Sequence, residues 1–234
     1  MDKNRIGIEI FAVTLVFGLG LTACAGAPDT TTDPYERTNR QVFAMNRRMD
    51  RNILKPIAEA YVATIPEPIR IGMHNLLSLA DQPKVFANDL LQADPKAAGN
   101  TLLRLIVNAT LGVGVCDSAS PLGLADHDND FGKTLAVWGW ENAPYLMVPL
   151  IGPSNPRDGI GFIGDITLDP AIWLQYKQYV WWLGGRKALE IVDFRANNLA
   201  ALDDIERTSV DFYAATRSLY LQHRAAETDE AKAP

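Results

Sequence analysis

The stretch DPKAAGNTLLRLIVNATLG, residues 94–112, decides how the chain folds. Asp94-Pro95 opens it with an N-cap and a proline whose missing N–H costs nothing in a first helical turn. Asn100, Thr101, Arg104 and Asn108 then recur at helical spacing as one narrow polar stripe, which leaves most of the circumference apolar. Leu111-Gly112-Val113-Gly114-Val115 follows as apolar chain loosened by glycine. The same start signal returns elsewhere. Asp33-Pro34-Tyr35-Glu36 adds a capping-box Glu, and Asp169-Pro170 and Asn155-Pro156 with Asp158 repeat the pair. Val42, Met45, Met49, Ile53 and Ile57 keep helical spacing toward Pro56, where a kink is expected. Leu189, Val192, Ala196 and Leu199 mark an amphipathic helix, and Asp203-Asp204-Ile205-Glu206 starts another that runs to about His223. Strand-type alternation is scarce. The best place for a hairpin is the aromatic stretch from Thr134 to Val148, broken by Gly139 and Pro144. The expected fold is mainly α, one helical domain over residues 33–223 with a polar tail over 224–234.

The chain has 234 residues, 47% hydrophobic and 21% charged, with formal net charge −6. That composition excludes a disordered chain, and the acidic balance excludes a nucleic-acid partner that needs a basic stripe. Lys3 and Arg5 precede an almost unbroken apolar run from Ile10 to Leu21. The run is shorter than the ~20 residues a bilayer span needs and has the length of a signal-peptide core. It ends in Leu21-Thr22-Ala23-Cys24, which reads as a lipobox: cleavage after residue 23 leaves Cys24 as a lipid-bearing N-terminus. An ordinary secretory signal is the alternative. Residues 24–32 are small and polar, a tether. Ala25 after the cysteine favours the outer membrane. Cys116 then has no second cysteine to pair with, so packing is its expected role.

Motifs for chemistry fail on inspection. Gly132-Lys133-Thr134 lacks the earlier glycine of a phosphate loop, since His127 stands there. Gly159-Ile160-Gly161-Phe162-Ile163-Gly164 matches a dinucleotide fingerprint as a string but follows a proline-rich loop, so close helix packing is expected. Asp126-His127-Asp128-Asn129-Asp130 opens like a calcium loop, yet Phe131 and Val137 stand where Gly and Glu are required, and a solvated loop is expected. His74, His127 and His223 form no zinc pair, and no serine elbow exists. No catalytic residue, metal or cofactor is expected.

Apolar and aromatic surface is the remaining signal. Trp173, Tyr176, Tyr179, Trp181 and Trp182 crowd one stretch, to be read either as a membrane-interface belt or as an aromatic core helix. Residues 143–151 form a proline-bounded apolar run suited to a buried or re-entrant segment.

In order, Asp33-Pro34-Tyr35-Glu36-Arg37-Thr38-Asn39-Arg40, Asn46, Lys55-Pro56, Pro66-Glu67-Pro68-Ile69-Arg70, Leu91-Gln92-Ala93-Asp94-Pro95, Arg104 to Gly112, Phe131 to Leu135, Pro144 to Ser154 and Arg157-Asp158 make a recognisable succession. It resembles the MlaA family, also called VacJ, over nearly the whole chain after Cys24. Cys116-Asp117-Ser118-Ala119 and Trp138-Gly139-Trp140 depart from the family's usual text. The resemblance implies no enzyme. It implies a ring-like helical domain in the periplasmic leaflet of a Gram-negative outer membrane, anchored through lipid on Cys24. A central channel would take mislocalised phospholipids from the outer leaflet and hand them to a periplasmic lipid carrier, preserving lipid asymmetry. A trimeric porin is the implied neighbour. The segment from Phe131 to Leu150 would border the channel, with Phe131, Trp138, Gly139, Trp140 and Tyr145 as the candidate lipid contacts; a buried aromatic cluster is the other reading. A structural or adhesive lipoprotein and a periplasmic hydrolase are the rival functions.

Overall fold

The Asp94 carboxylate accepts the Lys96 and Ala97 N–H groups at 3.0 and 2.8 Å and starts a helix over Pro95–Thr110. The computed structural model describes residues 33–140, 143–170, 172 and 176–232. The leader, Cys24 and the tether therefore lie outside the described residues, as does Trp173.

In chain order the helices are α1 (Glu36–Met49), α2 (Lys55–Thr64), α3 (Glu67–Leu91), α4 (Pro95–Thr110) and α5 (Phe131–Val137). After a two-stranded hairpin, β1 (Leu146–Val148) and β2 (Gly152–Ser154), come α6 (Pro156–Leu168), α7 (Tyr176–Asn197), α8 (Leu199–Thr208) and α9 (Phe212–Lys232). The strands pair antiparallel, Met147 opposite Pro153. A π-helical turn over Asp50–Leu54 joins α1 to α2 just ahead of Pro56, so the irregularity expected there takes the form of a change in winding.

Several expectations need correction. Residues 203–206 lie inside α8 rather than at a helix start, because Ser209 turns extended and ends that helix first. α9 continues through the expected polar tail to Lys232, held there by Arg224 and a buried Thr228. The hairpin takes only the end of the aromatic stretch: β1 is its last three residues and β2 lies beyond it. Gly139, at φ +105°, closes α5, while Leu150 and Gly152, both at positive φ, make the turn. Asp169 does not start a described helix; it is the C-cap of α6, is buried and pairs with Arg186 at 3.3 Å. The glycine string of α6 does pack closely, as expected. A Cβ on Gly161 would stand 2.5 Å from the Gly132 nitrogen, and one on Gly164 would stand 2.4 Å from the Phe131 ring.

The contacts close into a circuit. α2 packs on α7, α7 on α3, and α3 on α5 and α6. α5 then meets α9, α9 meets β2, and β1 returns to α1, with α8 touching both α2 and α9. The apolar core is small: Tyr145, Met147 and Tyr213, with Val42, Phe43, Tyr220 and Leu221 against them. Two asparagines one heptad apart on α1 fasten the hairpin to it. Asn39 Nδ2 donates to the Tyr145 carbonyl and its Oδ1 accepts the Met147 N–H; Asn46 does the same for the Val148 carbonyl and the Leu150 N–H. A helix thereby substitutes for a third strand, which a lone hairpin needs for stability.

Candidate functional site: a polar interior and two cavities

Among the described residues, buried polar and charged side chains outnumber buried apolar ones. α4 makes the arrangement explicit. Its narrow polar stripe faces inward: Thr101 and Arg104 are buried, and Asn108 Oδ1 accepts the Ser118 and Ala119 N–H groups. Leu102, Leu103 and Ile106 point outward, at 40, 52 and 50% exposure. Arg104 reaches Ser120, the Leu124 carbonyl, Asp117 and Asp126 from its buried position. α7 follows the same rule, burying Arg186, Asp193 and Arg195 while Leu189, Ile191 and Phe194 are exposed. A water-soluble fold does the reverse.

Three of the five residues expected in a solvated loop, His127, Asn129 and Asp130, belong to this interior. Asp89, fully buried on α3, accepts from Thr101 Oγ1 at 2.6 Å, Asn129 Nδ2 at 2.7 Å and His127 Nε2 at 3.2 Å. Burial works to raise its carboxyl, but the bonds from His127, Thr101 and Asn129 hold it below the ordinary range. The same bond to Asp89 raises His127. Asp130 caps α5 by accepting the Lys133 N–H at 2.8 Å. Only Asp126 and Asp128 of that segment are exposed.

Two large cavities open within the circuit. One, of about 580 Å3, is amphiphilic; Leu77, Val85 and Phe194 line it beside His74, Gln82, Asp126, His127, Asp193 and Asn197. The other, of about 530 Å3, is nearly all apolar, with Phe43, Met147, Ile205, Phe212 and Leu219 in its wall and Arg47, Asp50 and Glu206 at its polar side. Both have the size of small-ligand sites. No group of three or more His, Cys, Asp or Glu among the described residues is placed to hold a metal.

None of Phe131, Trp138, Gly139, Trp140 and Tyr145 lines either cavity. Tyr145 is a correction: its ring is 3% exposed in the apolar core, because the asparagine pair draws this strand onto α1. Phe131 and Trp138 come together edge to face, centroids 5.7 Å apart, and Trp138 Nε1 donates to the Leu91 carbonyl at 3.0 Å while its ring stays exposed. Trp140 is half-buried nearby. Tyr176 and Tyr179 fall in α7, with side chains outside the described set. Trp181 is 83% exposed, and Trp182 is also exposed, so neither is a core residue. Cys116 is exposed rather than packed. The acidic cavity wall, the half-buried Asp81, the buried Asp193 and their neighbours, escaped sequence reasoning; the one available signal was ionisable residues at core-like helical positions.

A family model described as MlaA lipoprotein matches residues 31–227. The chain belongs to the MlaA lipoprotein family. A Rickettsia bellii protein is 32% identical over 202 residues, 86% of this chain and 78% of its own length. The Escherichia coli K12 intermembrane phospholipid transport system lipoprotein MlaA is 31% identical over 215 residues, covering 87% of this chain and 84% of its own. A solved structure, described as the structural basis for maintenance of bacterial outer membrane lipid asymmetry, matches with TM-score 0.73 at 30% identity, covering 86% of this chain and 100% of its own. The MlaA fold is thus built here from helices that turn their polar stripes inward.

Proposed function

We propose that this MlaA-family chain is an outer-membrane lipoprotein, lipidated on Cys24, that moves mislocalised phospholipids from the outer leaflet to a periplasmic lipid carrier and so maintains lipid asymmetry. The observation that carries the reading is the inverted packing: α4 and the loop after it expose Leu102, Leu103, Ile106, Leu111 and Val113, while the polar stripe of α4 turns into an interior that holds an amphiphilic cavity. Contiguous apolar surface of this kind marks contact with lipid or a partner. Among the described residues no helix is long and apolar enough to cross a membrane; in this reading the apolar outer face seats the domain in the periplasmic leaflet. The cavity wall is wet on one side and apolar on the other, which suits a molecule with a charged head and acyl tails. A protein route spares the head the bilayer centre, where a charge costs several kcal/mol or more. Trp181 and Trp182 serve as interface anchors, and a trimeric porin is the neighbour through which the outer leaflet is reached.

The test is purification of the acylated full-length chain in mild detergent with mass spectrometry of bound lipid, alongside labelling of surface-exposed phospholipid in a strain lacking the protein. Intact phospholipid on the protein and a rise in surface phospholipid without it are expected. A lipid-free protein and an unchanged surface would favour a purely structural lipoprotein; a hydrolysis product would favour an enzyme. Cys24→Ser should abolish palmitate incorporation and outer-membrane recovery.

A further inference from the structure

The amphiphilic cavity is lopsided in charge. Among the described residues five carboxylates line it, Asp81, Asp126, Asp128, Glu190 and Asp193, and no lysine or arginine does. Of the cations that pair with these acids, two arginines are set into the packing, while Lys84 meets Asp81 at 3.2 Å and the partly exposed Lys187 meets Glu190 at 2.6 Å. Arg186, buried, meets Asp81 at 3.2 Å and Glu190 at 3.1 Å; Arg104, buried, meets Asp126 at 3.2 Å. They hold the carboxylates in place, and none of the four lines the cavity. The two lining histidines are each engaged by a carboxylate, His74 by Asp193 at 2.8 Å and His127 by Asp89 at 3.2 Å.

Two lining acids have acceptor capacity to spare. Asp193 is 5% exposed; its Oδ2 takes His74 and the Asn197 amide, but its buried Oδ1 has no hydrogen-bond partner among the described residues. A buried, unsatisfied carboxylate oxygen is expensive and points to a donor that arrives with a ligand. Asp128 is exposed, and its carboxylate makes no hydrogen bond or ion pair among the described residues.

We infer that this cavity selects phospholipids whose headgroup carries an ammonium, the zwitterionic ethanolamine class, over anionic glycerol headgroups. The inference rests on the transport reading and adds to it the identity of the headgroup. Both lipid classes bring the same phosphodiester and the same tails, so those terms cancel in the comparison. What differs is the end of the head. A primary ammonium offers three donors to a wall of carboxylates in charge-assisted bonds, while a glycerol head leaves the phosphate's negative charge uncompensated beside them. Like charges held in a partly dry cavity repel far more than in water.

The experiment equilibrates the acylated full-length protein with detergent micelles containing equal amounts of phosphatidylethanolamine and phosphatidylglycerol, then extracts and quantifies the bound lipid. An enrichment of ethanolamine lipid of about tenfold is expected, equivalent to ~1.4 kcal/mol. In Asp128→Asn/Asp193→Asn the ratio should move toward the input ratio. Because Asp193 is buried, the exposed Asp128→Lys serves as a second variant whose ratio should shift in the same direction whether or not the first folds. Equal retention of both lipids by the unaltered protein overturns the headgroup inference and leaves lipid transport standing. Retention of neither overturns both. Enrichment that persists undiminished in folded variants overturns the assignment to this cavity.

Discussion

The Asp165 Oδ1 accepts Asn88 Nδ2 and the Phe131 N–H, each at 3.0 Å. Burial pushes this carboxyl up from 3.8 to about 6, against the opposing pull of Lys84. Between those values the folded chain binds a proton that the unfolded chain has released, so this group's contribution to stability falls as pH rises through that window. Asp165→Asn keeps an oxygen for both donors. It should match the parent at pH 3 and exceed it by on the order of 1–2 kcal/mol above pH 7, read as the difference in melting temperature across a pH series. Glycines give a second contrast at this scale. Gly161→Ala drives a methyl into the Gly132 backbone and should lower stability by ~1–3 kcal/mol, whereas Gly184→Ala, with nothing within 4 Å of its Cβ, should raise it by up to ~1 kcal/mol. Denaturant unfolding in detergent separates the two. Cys116, being exposed, should accept Ala within ~0.5 kcal/mol in the same assay.

Helix α4 shows what periodicity conveys and what it omits. The stripe of Asn100, Thr101, Arg104 and Asn108 was legible, as was the cap at Asp94. Its direction was not, because a pattern of polar and apolar residues defines two faces without saying which one meets the interior. The partners decide it: Asp89 for Thr101, Asp117 and the Leu124 carbonyl for Arg104. Arg104→Leu should therefore destabilise the fold by about 2–3 kcal/mol, since it strands acceptors gathered around a buried cation. Leu103→Gln/Ile106→Gln, on the outward face, should leave the melting temperature in detergent within a degree or two and weaken retention in membranes on flotation. The opposite ranking would place α4 the other way round. The hairpin was misjudged for a related reason. Gly139 is a sound turn residue, but a turn residue ends a helix as readily as it joins two strands, and the asparagines of α1 that choose the strand lie a hundred residues away.

Across the molecule, the circuit is closed by one largely buried arginine. Arg224 on α9 donates to Asp130 at the start of α5 and to Asp158 on α6, with distances from 2.7 to 3.1 Å. Tyr220 and Asn155 add bonds to the same Asp158. Arg224→Met leaves two largely buried carboxylates facing each other and should cost ~3 kcal/mol or more. Calorimetry checks the size, and faster proteolysis of α9 checks the place. A chain that tolerated the change would show that α9 is held by its apolar contacts with the hairpin alone.

By itself the sequence determined the helical class, the starts of α1, α4 and α6, close helix packing through the glycines of α6, the lack of any recognisable catalytic motif and, through an ordered series of motifs, the family. These are properties of neighbours along the chain: caps, prolines and glycine spacing act within a few residues. Only the tertiary structure decided that the polar faces turn inward, that Tyr145 is core, that α9 runs to Lys232, and that five carboxylates border one cavity. Each of those depends on groups brought together from distant parts of the chain. Whether a polar stripe is an outside or an inside is set by what else can satisfy its hydrogen bonds once the helices have packed.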